Sequence, residues 1–473
     1  MPNAHRCRLW FSSVVLPLAL LIFPLAAQGQ ESGRRFYEEE LRVRLDEQAP
    51  EFDEIGYDAG GWFSFAYFRY DDEAAREQRN LRRYELRGWA SMDIRSAHRF
   101  YVRGLLGWDH WTRNPDPDDG KVEFTDFRVE RAWYEFDLRR WLTAETGEVP
   151  PVGFRLKVGR QYAEIGTGLT LAMPMDMLRF ELSNPDWDLT ALLGQTIEDT
   201  DNIDDSPNVS DHQERCFWGF ELAYKGIVDH RPFIYYLHQD DHTSPRPRLA
   251  NQSFDYSSRY LGVGSTGTLT PLSPYLHYRA ELVGEWGKTY SMLQTAGRDR
   301  ICAMAGDVQL AYTPDIRHRP RFTVGYLFAT GDDDRAVSAT STIGGNVSGT
   351  KDRAFNAFGY RDTGIAFAPR VSNLHMYSAG ASCFPLEDHR WFRKMQIGTR
   401  AFFYHKDEKD GPTSDVTSNQ DHRWLGWEWD VYCDWRITSD LSFTTRYGAF
   451  WPGEAFADRS CRQFIYTGVI FTF

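Results

Sequence analysis

Past its first thirty residues the chain has no uncharged apolar run approaching the roughly 18–20 residues that a membrane-crossing helix needs. Cysteine is scarce, six in 473 residues. Beyond Cys7, the five at Cys216, Cys302, Cys383, Cys433 and Cys461 lack zinc or redox spacing. An odd number also excludes full pairing, so they read as small apolar residues. GxSxG and HExxH are missing, and no P-loop or dinucleotide fingerprint stands out. No catalytic role is expected. The formal net charge of -13 makes a poor nucleic-acid partner. The acidic loop "DTDNIDD" lacks the glycine and distant glutamate of a calcium-binding EF-hand loop. No metal or cofactor is expected. This length would ordinarily mean several domains, yet no Pro/Ser/Gly tract divides the chain.

The N-terminus reads as an export signal. Arg6 and Arg8 precede an apolar run from about Leu9 to Ala27, and Ala27-Gln28-Gly29 offers a small-residue cleavage site. Residues 1–29 are therefore expected to be a signal peptide, leaving a net charge of about -15. Residues 30–59, rich in Glu and Arg, are expected to form an N-terminal periplasmic segment or plug, and residues 60–473 a single outer-membrane unit.

Aromatics make up 15% of the chain, with 38 glycines, although its mean hydropathy is -0.54. A water-filled transmembrane barrel combines these features, because each strand shows one face to lipid and the other to water. Period-two alternation supports it. In "YELRGWASMDI", Tyr84, Leu86, Gly88, Ala90, Met92 and Ile94 oppose Arg83, Glu85, Arg87, Trp89, Ser91 and Asp93. In "RWLGWEWDVYCDW", Leu425, Trp427, Trp429, Val431, Cys433 and Trp435 oppose Glu428, Asp430 and Asp434. "FRLKVGRQY" is ambiguous, since Lys157 and Arg160 fall on opposite faces. A helix would scatter these apolar residues around its circumference.

About eighteen such strands are expected, an even number as a bacterial single-chain barrel requires. Short connections ("DIRSAH", "DHRP", "RITSD") alternate with long polar ones, above all Gly331–Ser372. The last ten residues, "FIYTGVIFTF", carry no charge. Ile465, Thr467, Val469, Phe471 and Phe473 should face lipid and close the barrel against the first strand near Gly61, since a free sheet edge is not tolerated in hydrocarbon. The aromatic end also suits recognition by the outer-membrane insertion machinery. The fold class is thus all-β, a transmembrane antiparallel barrel.

The inward faces carry both signs. Arg83, Arg87, Arg103, Arg131, Arg279, Arg400 and Arg446 stand against Glu85, Asp93, Glu135, Glu281, Glu285, Glu428 and Asp430. Arginine's planar fork matches carboxylate, so an arginine ladder could pass a uronate chain while neighbouring acids keep each stop weak. Alternatively these charges pair along the wall and keep it wet. Trp89 and Trp133 could stack on sugar rings or simply pack.

Several segments, in order, resemble the alginate export family of outer-membrane porins: "LRGWASMDI", "VERAWYEFDL", "LKVGRQ", "DTGIAFAPRVSNL" and "GAFWPGEAF". The resemblance implies an eighteen-stranded monomeric barrel with a charged constriction, and a family whose members pass an anionic uronate polymer outward. It places Arg87, Arg160 and Arg446 at basic pore positions. Glu130 and Arg131 fall on a charged pair with the two signs exchanged. An arginine expected just before "SNL" is missing, with Ala368 near that place, and Gly468 replaces an acidic residue of the last strand. The function this implies is passage of an anionic, alginate-like polysaccharide across the outer membrane. A general or substrate-selective porin for small solutes is the alternative, and a plugged barrel serving structure or adhesion a third. The expected partners are the polysaccharide or a small anionic solute and outer-membrane lipid. Plugging by a segment such as Gly159–Met173, and partnership with periplasmic export proteins, are left open.

Overall fold

A computed structural model describes residues 55–72, 77–112, 122–197, 213–243, 256–290, 298–335, 338–340, 347 and 349–473. The expected signal peptide, residues 30–54 of the N-terminal segment and most of the loop around "DTDNIDD" lie outside them. The strands are β1 (Ile55–Asp72), β2 (Glu77–Ile94), β3 (His98–Thr112), β4 (Val122–Asp137), β5 (Gly153–Ile165), β6 (Leu171–Ser183), β7 (Trp187–Thr196), β8 (Arg215–Tyr224), β9 (His230–Asp241), β10 (Ser257–Thr268), β11 (Leu276–Tyr290), β12 (Arg298–Tyr312), β13 (Arg321–Ala329), β14 (Lys351–Asp352), β15 (Leu374–Cys383), β16 (Met395–His405), β17 (Trp424–Arg436), β18 (Leu441–Pro452) and β19 (Arg462–Thr472). All but β14 form a closed antiparallel wall of eighteen strands, each beside its chain neighbour. The two-residue β14 runs parallel to Arg300–Ile301 of β12.

Closure follows the expected register. Phe63 pairs with Phe471, Phe65 with Val469 and Tyr67 with Thr467. Gly61 and Phe473 exchange both main-chain hydrogen bonds at 2.9 Å. Phe63, Leu86, Val102, Trp108, Trp427, Trp429 and Phe471 are exposed on the outward belt that lipid covers. The chain enters β1 and leaves β19 at the end with short turns, the periplasmic end of such barrels.

Three details differ from the alternation. β1 opens at Ile55, so the boundary expected at 59/60 falls within the first strand; "GYDAGG" contrasts its faces too weakly to mark it. Leu425, expected on the lipid face, is fully buried. Tyr404 pairs with Gly426 and His405 with Trp424, so this bulge skips Leu425 and turns it inward. The connection from β4 to β5 contains a helix, α1 (Leu138–Thr146). Asp137 caps it by accepting from the Arg140 N–H, and Gly147 ends it at φ 73°.

Gly331–Ser372, expected to be a long polar loop outside the barrel, instead sends Arg353–Ser372 across the lumen as a strap. Its apolar residues explain the difference: Phe355, Phe358, Ile365 and Phe367 are all buried. Phe367 stacks on Phe450 at 4.3 Å and meets Tyr404 and Phe456 edge-on. Burying one such ring contributes about 1.5–3 kcal/mol. The β5–β6 tip joins it inside. Among the described residues, β4 pairs with β5 only from Ala132 to Asp137, while β5 and β6 stay paired to Ile165 and Leu171. Ala163, Ile165, Leu169 and Leu171 are buried there.

At the outer rim, the loop after β16 is tied to the strap's root. Asp407 Oδ1 lies 3.0 Å from His375 Nε2, and its Oδ2 accepts from the Gly331 N–H at 2.9 Å. The hydrogen bond with His375 holds the Asp407 carboxyl below the ordinary aspartate range against the opposing effect of burial. A depressed carboxylate stabilises the fold above its unfolded pKa, and that contribution is lost as pH falls through its folded value. Amide-exchange protection at Gly331 is therefore expected to weaken in acid, with Asp407→Asn removing that pH dependence. Equal dependence in both proteins would refute this tie.

Candidate functional site in the barrel lumen

The charged cluster on β2–β4 depends on one backbone irregularity. Arg103 pairs with Arg131 and Gly104 with Val129, so Glu130 is an extra residue in β4. A regular strand would send Glu130 and Arg131 to opposite faces. The bulge delivers both charges to the lumen. Glu130 Oε2 lies 3.0 Å from Nε of both Arg87 and Arg103. Arg87 also reaches Glu85 at 2.9 Å. Arg87 and Arg103 lie over the Trp62 ring, 5.8 and 5.6 Å from its centroid, and Arg131 lies 5.7 Å from that of Tyr162. Trp89, Tyr101 and Trp133 stack in series beside them, at 6.1 and 5.3 Å. Lys157 Nζ caps Trp133 at 3.7 Å. These rings pack on one another, with Tyr101 and Trp133 buried.

The structure thus gathers Arg87, Glu130 and Arg131, and adds Arg103, which the alternation alone placed inward. Arg446 on β18 sits apart, 3.4 Å from Asp434 and 5.3 Å from the Tyr432 centroid. Arg160 belongs to β5. It pairs with Ala132, one step from the Gly159–Trp133 pair, and so lies on the opposite face of the sheet from Trp133. There it grips Asp176 through two bonds of 2.9 and 3.1 Å and donates to the Val129 carbonyl at 2.8 Å. The ambiguity of "FRLKVGRQY" was physical, since Lys157 and Arg160 do face opposite ways.

A second charged row was hidden from alternation because its centre lies on the strap. Arg361 Nε is 2.7 Å from Asp307, which Arg279 also reaches at 2.9 Å. The next strap residue, Asp362, pairs with Arg400. A cavity of about 50 Å³ lies among Arg279, Asp307, Arg361, Asp362 and Arg400. The strap, which carries Ala368, thus brings Arg361 into this row. The one signal for it was the segment "YRDTGIAF" itself, apolar and arginine-bearing within a polar loop.

Arg87, Arg103, Arg160, Arg279, Arg361, Arg400 and Arg446 each hold a carboxylate, while Arg131 donates to the Glu130 main-chain carbonyl. Arg87, Arg103 and Arg131 are themselves buried within their cluster. The carboxylates of Asp332, Asp333 and Asp334 lie within 4.8 Å of one another. Asp332 uses its oxygens on the N–H groups of Asp334 and Arg353, at 2.8 and 2.6 Å, which makes the cluster a turn. Cys302, Cys383 and Cys433 are free thiols.

A family profile described as alginate export matches residues 123–469. No curated protein matches the chain. Among solved structures, OccK7 (OpdD) of Pseudomonas aeruginosa is similar at TM-score 0.54 and 12% identity, covering 88% of this chain and 98% of its own. OccAB2 of Acinetobacter baumannii follows at 0.52 and 11%, covering 89% and 99%. The outer membrane protein OprD of Pseudomonas aeruginosa gives 0.51 and 14%, covering 90% and 95%. At such identities these likenesses concern the fold alone.

Proposed function

The chain belongs to the alginate export family and forms an outer-membrane channel, and from that premise we propose that it passes an anionic, alginate-like polysaccharide across the outer membrane. The observation that carries this reading is the convergence of Arg87 and Arg103 on one bulged carboxylate, Glu130, with Arg131 beside them on its main-chain carbonyl. A guanidinium offers two parallel donors to a uronate carboxylate. Acids between successive arginines let the chain exchange sites. Arg446, three strands around the closed wall from Arg87, provides a further stop. Arg160, held by Asp176 and by the Val129 carbonyl next to Glu130, would be a further stop.

A selective porin for small solutes is the competing reading, and the two inward segments that narrow the lumen favour it. Single-channel conductance of the refolded protein separates the two. Wild type is expected to prefer anions and to be blocked by oligouronate. Arg87→Ala/Arg446→Ala is expected to lose about tenfold in blocking affinity, the loss of roughly 1.4 kcal/mol. Conductance without anion preference or block would establish the small-solute porin. A silent protein would point to a plugged or structural barrel.

A further inference from the structure

Four inward glutamates follow one pattern, and it is not one of open lumen charges. Each accepts a main-chain N–H from a segment lying inside the barrel. Glu221 of β8 takes Gly166 at 2.7 Å, Glu281 of β11 takes Thr167 at 2.9 Å, and Glu285 of β11 takes Asn356 at 3.0 Å. Glu428 of β17 takes three successive groups, Ile365, Ala366 and Phe367, at 2.6, 2.7 and 2.8 Å. All four side chains are buried, Glu428 completely.

The two inward segments also hold each other. The Ala172 N–H donates to the Phe358 carbonyl at 3.0 Å, Phe358 to Thr170 at 2.9 Å, and Tyr360 to Gly168 at 2.9 Å. Two glycines permit this. A Cβ on Gly359 would stand 1.9 Å from the Leu169 carbonyl oxygen. Gly364 has φ 98°, and a Cβ there would stand 2.6 Å from Glu428 Oε1. Only glycine both adopts that backbone and approaches that carboxylate.

We propose that these glutamates are positioning residues for the channel's throat, with Glu428 dominant. They rivet the β5–β6 tip and the strap to the wall, and so set the cross-section left to the solute; this rests on the channel reading above. A carboxylate suits the task because both its oxygens only accept. The three strap N–H groups would otherwise be buried donors without acceptors. The strap covers the wall from β8 to β18, so the rivets also direct the solute towards the arginines of β2–β4.

The test is Glu428→Gln in the full chain, refolded in bilayers. Its amide keeps one acceptor and turns an NH2 towards donors. The strap should detach, and the unitary conductance should rise at least about twofold as the constriction widens. A second readout follows the strap directly. Cysteine at position 366, introduced as Ala366→Cys, should resist a hydrophilic maleimide in the otherwise wild-type chain and react in the Glu428→Gln background, each compared with the same protein retaining Ala366. Should Glu428→Gln not refold, Gly364→Ala carries the same test, because it displaces the strap while leaving every wall charge in place. A folded variant with unchanged conductance and a protected thiol overturns the rivets. If wild type and variant are both silent, the channel reading fails, and the thiol still decides whether Glu428 holds the strap.

Discussion

Glu130→Gln is expected to make the channel more anion-selective and to tighten its block by oligouronate by about tenfold. The direction follows from geometry. One carboxylate oxygen lies 3.0 Å from Nε of both Arg87 and Arg103, so a uronate must compete with it for both forks. Removing that charge removes the competitor at Arg103 and one of the two at Arg87, where Glu85 remains. Unit charges about 4 Å apart interact by roughly 4 kcal/mol at the effective dielectric near protein surfaces. If only a third of that survives water and salt, about 1.4 kcal/mol remains, which is a factor of ten. The reversal potential in a salt gradient should shift towards the anion side, and the oligouronate concentration for half-block should fall. Both shifts should shrink as ionic strength rises. Glu130→Asp, which keeps the charge, should leave the reversal potential near wild type. An unchanged reversal potential in a folded Glu130→Gln channel would mean that the cluster lies off the permeation path, and the polyuronate proposal would lose its main support.

Deleting Val469–Phe473 is expected to abolish barrel assembly. Val469–Thr472 pair with Phe65–Trp62 of β1, and Phe473 exchanges two hydrogen bonds with Gly61. Without them this length of β1 becomes an open edge in hydrocarbon, where each unsatisfied main-chain group costs several kcal/mol. A handful of such groups exceeds the 5–15 kcal/mol that typically separates folded from unfolded protein. The deletion should therefore lose the difference in gel mobility between heated and unheated samples that marks a closed barrel. Phe473→Ala keeps the main-chain bonds and should retain that difference. A truncated chain that still shows it would refute the closure argument.

How legible these features were depended on how local their physics is. Alternation in "YELRGWASMDI" reports the face of each side chain because a strand's period is two, and Arg87 and Trp89 duly lie inward. The same rule failed at Leu425 and could not have placed Glu130 beside Arg131, since in both a single extra residue reverses the alternation. Nothing in "VERAW" announces a bulge; it is specified by how β4 fits β3. Arg160 illustrates a related limit. Its motif marked the residue, while its parity relative to Trp133 is a property of strand register.

By itself the sequence pointed to the class of the protein: an alternating, aromatic-rich chain with no uncharged apolar run of crossing length past its first thirty residues reads as a closed barrel whose uncharged last strand meets its first. These conclusions rest on requirements that every residue in a bilayer shares, so composition and period suffice. Only the tertiary structure decided the interior. That Arg353–Ser372 turns inward, that Arg361 faces Asp307, and that Glu281, Glu285 and Glu428 hold main-chain N–H groups all depend on contacts between residues tens of positions apart. A buried carboxylate and an exposed one are the same letter, and what separates them is the segment that packs against them.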